Sequence, residues 1–154
     1  MARLRGSRMG EVKVEVELEN AGDRVLARYG HIAEDQVRSA RVRVLADSGA
    51  RMLMLPQELV ESLGLLEVRR ARVTYADERT EERPIAEAIT IRVGNRSTLV
   101  QCIVGPRGSE PLLGQIELEA MDLLVDCAGQ CLVPRSESPD LPLIPIKQLA
   151  PRTT

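Results

Sequence analysis

Apolar and charged residues alternate strictly along "EVKVEVELEN" (11–20), with Val12, Val14, Val16 and Leu18 on one face. A period of two predicts a half-buried strand. "AGD" (21–23) offers turn chemistry, and "RVLARYG" (24–30) reads as a returning strand. Alternation resumes in "SARVRVLA" (39–46). The period then changes. In "LPQELVESLGL" (55–65), Leu59 and Leu63 stand four apart, Pro56 suits a first helical turn and Gly64 a helix end, which predicts a short helix. "RVTYADERTEERPI" (72–85) has a strand at each end and a polar middle, the pattern of a long exposed hairpin. "AITIRVGNRSTLVQCIVG" (88–105) predicts another, turning at Gly94-Asn95. "EPLLGQIELEAMDLLVD" (110–126) opens as an apolar strand end and passes to helical spacing through Ile116, Leu118 and Met121. "LLVDCAGQCLVP" (123–134) predicts a last hairpin around Ala128-Gly129. Prolines 134, 139, 142, 145 and 151 then forbid a helix and most sheet pairing. The pattern sums to one mainly β domain over 9–134 with one or two short helices, a basic leader at 1–8 and an extended proline-rich tail at 135–154.

Composition sharpens this picture in three ways. The chain has no Phe or Trp and only Tyr29 and Tyr75, so aliphatic side chains must fill the core. The 21 basic and 23 acidic side chains leave a formal net charge of −2, without the basic excess of a duplex-binding face, so no nucleic-acid partner is expected. Arg3, Arg5 and Arg8 form only a short basic terminus. No apolar run approaches the ~18 residues of a membrane span, and no apolar signal core is present, which predicts a cytoplasmic protein without a membrane partner. Cys102, Cys127 and Cys131 are odd in number and irregularly spaced, which fits small buried or half-buried thiols better than a disulfide framework. Cys127 and Cys131 could still meet across a hairpin. With His31 the single histidine, a four-ligand zinc site would need acids or a second chain, so no metal and no cofactor are expected.

The candidate chemistry lies where the 39–46 strand ends, at Asp47, Ser48 and Gly49. Alone, Asp-Ser-Gly reads as an Asx-type turn. Its context is more informative. The acid follows an alternating strand and precedes an apolar stretch, and "PLLG" opens a second short helix about 65 residues later. In these features the chain resembles the retropepsin-like aspartic proteases, in particular the short bacterial members, from about residue 9 to residue 134. "LADSGA" stands for the family's Asp-Thr/Ser-Gly-Ala, "LPQELVESLGL" for the segment after it, "TYADERT" at the flap position, and "PLLGQIELEAMDLLVD" for the hydrophobic-hydrophobic-glycine segment.

The resemblance implies a closed β-barrel forming half of an acid protease, completed by homodimerisation. It implies that Asp47 of each copy is catalytic, with Ser48, Gly49 and Ala50 bracing the acid loop. Leu112, Leu113 and Gly114 would pack behind that loop, and Tyr75, Ala76, Asp77 and Glu78 would form the flap over a peptide substrate. The flap departs from better-known ones, because no glycine lies between residues 65 and 93. That feature keeps a rival open, in which the same dimer binds peptides or serves assembly without catalysis. Asp126 follows "LLV" as Asp47 follows "VLA", but "DCA" replaces the Ser-Gly, so it reads as a hairpin end. Asp122 and Glu119 read as solvated helix positions, and His31 as a surface or capping residue. "LPLIPI" (141–146) is apolar enough to lie in a cleft or across a dimer seam.

Overall fold

A computed structural model describes residues 11–149. The basic leader at 1–8 and residues 150–154 lie outside the described residues. The elements in order are β1 (Val12–Asn20), α1 (Ala21–Arg28), β2 (Ser39–Ala46), β3 (Met54–Pro56), α2 (Gln57–Ser62), β4 (Leu66–Thr74), β5 (Thr80–Val93), β6 (Arg96–Gly105), β7 (Leu112–Leu113), α3 (Gln115–Met121), β8 (Leu123–Asp126) and β9 (Cys131–Pro134).

Seven strands form a sheet in the order β1-β2-β7-β3-β6-β5-β4, and an added β1–β5 pairing closes it into a ring. Closure suits the alternation read from the sequence. β1 pairs with β2 along its length, from Val12 opposite Ala46 to Glu19 opposite Ser39. Its last four residues also pair with β5, from Glu17 opposite Arg92 to Asn20 opposite Ile89. The inward set, including Val16, Leu18, Val44, Leu55, Ile89 and Ile91, is buried to 1% exposure or less. The core is aliphatic, as the absence of Phe and Trp requires.

β5 is longer than either predicted hairpin arm. Its fourteen residues serve both hairpins, pairing with β4 through 80–87 and with β6 through 85–93. Gly94 and Asn95 make the expected two-residue turn, with Gly94 at φ +58°. The 55–65 helix is shortened to Gln57–Ser62, because Leu55 and Pro56 continue β3 beside β6.

One element differs outright. Residues 24–30 do not return as a strand; they fall largely within α1. Both sides of β1 are occupied by β2 and β5 near this point, so no free edge awaits a returning strand. Asn20 caps the helix, its Oδ1 accepting the Asp23 N–H at 2.9 Å. Asp23 is buried and in turn accepts from the Arg38 backbone N–H and guanidinium.

The described tail has neither strand nor helix after Pro134, yet it is held down. Arg96, 3% exposed, donates to the carbonyls of Met121, Asp122 and Ser138. Asp122 is not a solvated helix position. It is 6% exposed, pairs with Arg135 and accepts the Leu143 N–H at 2.9 Å. The Arg135 guanidinium holds its carboxyl well below the usual carboxylate range. Glu119 is solvated, as expected, and accepts from Gln115.

Candidate active site

β2 ends at the buried Ala46, and Asp47 is the first residue beyond the sheet. Three hydrogen bonds shape its turn. The Asp47 N–H donates to Leu113 O at 2.9 Å, the Ala50 N–H to Asp47 O at 3.0 Å, and the Gly49 N–H to Asp47 Oδ1 at 2.9 Å. Gly49 has little room, since a Cβ there would lie 3.1 Å from Asp47 Oδ1. The loop is also fastened to α3. Gln115 N–H donates to Ala50 O at 2.8 Å and Ile116 N–H to Arg51 O at 2.9 Å. The first amides of a helix have no carbonyl within it to bond. Here they hold the acid loop instead.

Asp47 opens onto a cleft of about 910 Å³. Met52, Met54, Ile85, Ile103 and Leu112 give it an apolar floor, and Val73 and Tyr75 line its β4 side. Asp47 is the only carboxylate lining it among the described residues; Arg51, Arg69 and Arg72 contribute positive charge. Gly49 and Ala50 also border the cleft. Ser48 points elsewhere, into a neighbouring groove shared with Leu118, Leu123, Leu143 and Pro145. Leu143 and Pro145 of the docked tail therefore lie beside the acid loop.

The β4–β5 hairpin turns at residues 75–79, with the Tyr75 N–H donating to Arg79 O at 2.8 Å and the Glu78 N–H to Tyr75 O at 3.0 Å. Of the four expected flap residues, Tyr75 and Ala76 line the cleft, while Asp77 and Glu78 do not. Asp77 instead pairs with Arg79 at 2.8 Å. Glu78 takes the left-handed conformation, at φ +67°, which a glycine usually fills. The Tyr75 hydroxyl donates to the Glu81 carboxylate, and the Arg79 guanidinium sits 5.6 Å from its ring centre. Burial, then that contact with Glu81, pushes the phenol pKa up.

Of Leu112, Leu113 and Gly114, Leu112 lines the cleft, Leu113 O accepts the Asp47 N–H, and Gly114 packs against the Arg51-Met52 backbone. Leu45 and Ala46 pair in parallel with Leu112 and Leu113. Beneath them lies a carboxylate that the sequence pattern alone does not single out. Glu117 is fully buried, and its Oε1 accepts the Gly114 N–H at 2.9 Å while Oε2 has no hydrogen-bond partner among the described residues. Its signal was in "GQIE", a carboxylate three residues past a helix N-cap. Burial pushes the Glu117 carboxyl up to about 7, against the opposing pull of the Gly114 and Leu53 amides. The Cys102 thiol on β6 is the titratable neighbour, itself pushed up to about 12 by burial.

A carboxyl raised from 4.5 to about 7 keeps its proton in the fold where the unfolded chain has released it. Stability therefore falls as pH rises through that window and stays lowest above it. Glu117→Gln is expected to match wild type near pH 4 and to exceed it by about 3 kcal/mol near pH 8, because the amide has no proton to lose. Urea unfolding at the two pH values measures this, and parallel pH slopes for both proteins would contradict it.

The remaining candidates are dispersed. Asp126 closes the β8–β9 hairpin by accepting the Gly129 N–H, and His31 is exposed. Cys102, Cys127 and Cys131 form no disulfide with one another, and only Cys102 is buried. Among the described residues no helix is long and apolar enough to cross a membrane. The model of a family described as aspartyl protease matches residues 33–116, the span from the approach to β2 to the start of α3. No curated protein matches the chain.

Proposed function

The chain belongs to the aspartyl protease family, and from that premise we propose that it is an endopeptidase active as a homodimer. The observation that carries this reading is the solitary Asp47 carboxylate in its cleft, held on one oxygen by the Gly49 N–H. An acid pair then needs a second copy, and a two-fold axis beside Asp47 supplies it through one self-complementary contact. Two close carboxylates share a proton over a wide pH range; aspartic proteases are themselves the reference case for this effect. The charged Asp47 takes a proton from water as its oxygen attacks the peptide carbonyl carbon, and the neutral Asp47 gives its proton to the carbonyl oxygen. Collapse of the resulting diol breaks the C–N bond, with the proton passing to the leaving nitrogen.

The other residues support these steps. Ser48, next to Asp47, carries the hydroxyl that would brace the two acid loops against one another across the dimer. Leu113 fixes the height of Asp47 by accepting its N–H, and Gly114 lets the 51–52 backbone pack close against the start of α3. An extended peptide pairs with the β4–β5 hairpin as a strand would, its side chains on the apolar floor and Tyr75 and Ala76 over it.

A second reading, a peptide-binding dimer without catalysis, draws on Glu78. A non-glycine residue in the left-handed region costs roughly 1 kcal/mol, and it leaves the hairpin tip without the pliable glycine of mobile flaps. Cleavage of a diverse peptide library between about pH 4 and 7, with and without a statine-type inhibitor, distinguishes the two. The protease reading expects inhibitor-sensitive cleavage with a mildly acidic optimum and specific activity that rises with protein concentration. A dimer silent at every pH supports the second reading. A monomer that cleaves removes the paired acid altogether.

A further inference from the structure

The cleft carries more positive than negative side chains. Elsewhere arginines are commonly paired with acids: Arg24 with Glu19 and Glu34, Arg38 with Asp23, Arg41 with Glu17, Arg70 with Glu82 and Arg107 with Glu61. In the cleft the pairing stops. Arg51 follows the acid loop directly; its backbone carbonyl accepts the Ile116 N–H, while its guanidinium has no hydrogen-bond or ion-pair partner among the described residues. Arg69, near the base of β4, donates to Gln101 Oε1 at 2.9 Å, a neutral partner. Arg72 also borders the space without an ion pair, since the Glu82 opposite it is taken by Arg70. Against these three positive charges the cleft sets one negative charge, Asp47. In a protein whose net charge is −2, three guanidinium groups without an acidic partner among the described residues thus line the cleft with Asp47.

We infer that the cleft selects peptide segments bearing acidic side chains close to an apolar scissile pair, with Arg51 and Arg69 as the specificity-determining contacts. The inference rests on the endopeptidase reading for the cleavage, though not for the binding. The chemistry follows from the geometry of the site. The apolar floor of Met52, Met54, Ile85, Ile103 and Leu112 takes the side chains at the bond to be cut. Both arginines line the same cleft as that floor, Arg51 just after the acid loop and Arg69 on β4. Each is a planar fork of donors that matches a carboxylate in two-point fashion. A neutral segment would bury part of these cations without a partner, so the same groups that favour Glu and Asp also discriminate against wholly apolar peptides. A cleft neutralised by its ligand gains attraction at distance as well, and that part weakens as salt rises.

The test uses the full chain and paired peptides of equal length with a central apolar pair, differing only in flanking Glu against Gln. At about pH 6 free Glu side chains are ionised. Wild type is expected to cleave the Glu peptide with kcat/KM about tenfold above its Gln twin, the scale of a charge-assisted hydrogen bond. The advantage should shrink at high salt. In R51Q/R69Q the Glu-to-Gln ratio should fall to about one. Because the ratio is taken within one protein sample, partial misfolding cancels from it. A control in R41Q, on the outer face of β2, should keep the wild-type ratio.

Equal cleavage of the two peptides by wild type overturns the inference while leaving the endopeptidase reading standing. A preference that survives in R51Q/R69Q assigns it to other groups and overturns the role of these two. If no peptide is cleaved, titration calorimetry of the same pair against wild type decides alone: tenfold tighter binding of the Glu peptide upholds the charge selection, and equal binding ends it. A single-stranded oligonucleotide that displaces the Glu peptide at equal charge would show a general anion cleft and refute selection for peptide.

Discussion

Asp47→Asn is expected to leave the fold and the oligomeric state unchanged and, on the endopeptidase reading, to lower kcat for peptide cleavage by about 10⁴-fold, the scale seen when an essential acid–base group is removed from a hydrolase. The substitution preserves shape. Asn keeps an Oδ1 that can accept the Gly49 N–H, and the backbone bonds to Leu113 and Ala50 do not involve the side chain. What disappears is the capacity to take a proton from water, and in a homodimer it disappears from both halves at once. Cleavage assays together with sedimentation and urea unfolding separate the chemical loss from any structural one. A mixture offers a sharper check. If subunits exchange, excess Asp47→Asn protein should draw wild-type subunits into dead pairs and suppress their activity. Full activity in the variant would mean that the wrong acid has been assigned.

The second large effect is expected from Gly114→Ala. Gly114 has φ −105° and ψ −175°, extended backbone that any residue adopts, so its need for glycine is spatial. A Cβ there would lie 2.5 Å from Met52 N, 2.7 Å from Met52 Cα and 2.8 Å from Arg51 C. All three are backbone atoms, which cannot swing aside as a side chain would. To admit a methyl, the 47–52 loop must separate from the start of α3. That movement strains the Asp47 bond to Leu113 O and the Gln115 and Ile116 bonds to Ala50 O and Arg51 O. The expected cost is about 3 kcal/mol, at the upper end of overpacking effects. Activity should fall further than the folded fraction does, because Asp47 is displaced in the molecules that still fold. An unchanged unfolding midpoint would mean that the two segments part easily.

What could be read from the sequence follows physical range. The strands of β1, β2 and β6 were legible because alternation is a local property and each faces one core. The Asp47 loop was legible because its parts, "LADSGA" and "PLLG", keep their order along the chain. α1 was not, because "RVLARYG" suits a strand by composition, and the choice between helix and strand depended on β5 occupying the neighbouring edge of β1. Asn20 and Asp23, three apart, were the local cue for a cap. Asp122 was misplaced for a similar reason, since its burial depends on Arg135 and Leu143 folding back from beyond β9. The arginines of the cleft were invisible as a set. Arg51, in the loop after β2, and Arg69, on β4, are eighteen positions apart, and they share one space only because β4 joins the sheet through β5 and β6 beside β3.

The aliphatic core has an optical consequence. Without Phe or Trp, the chain's only aromatic side chains are Tyr29, 77% exposed on the surface, and Tyr75, on the cleft wall. Light absorbed near 280 nm is therefore taken up by two phenols, one of them where a peptide in the cleft would lie. Any tryptophan emission from a mixture belongs to the peptide, and energy passed to it from Tyr75 reports occupancy of the cleft with no label on the protein.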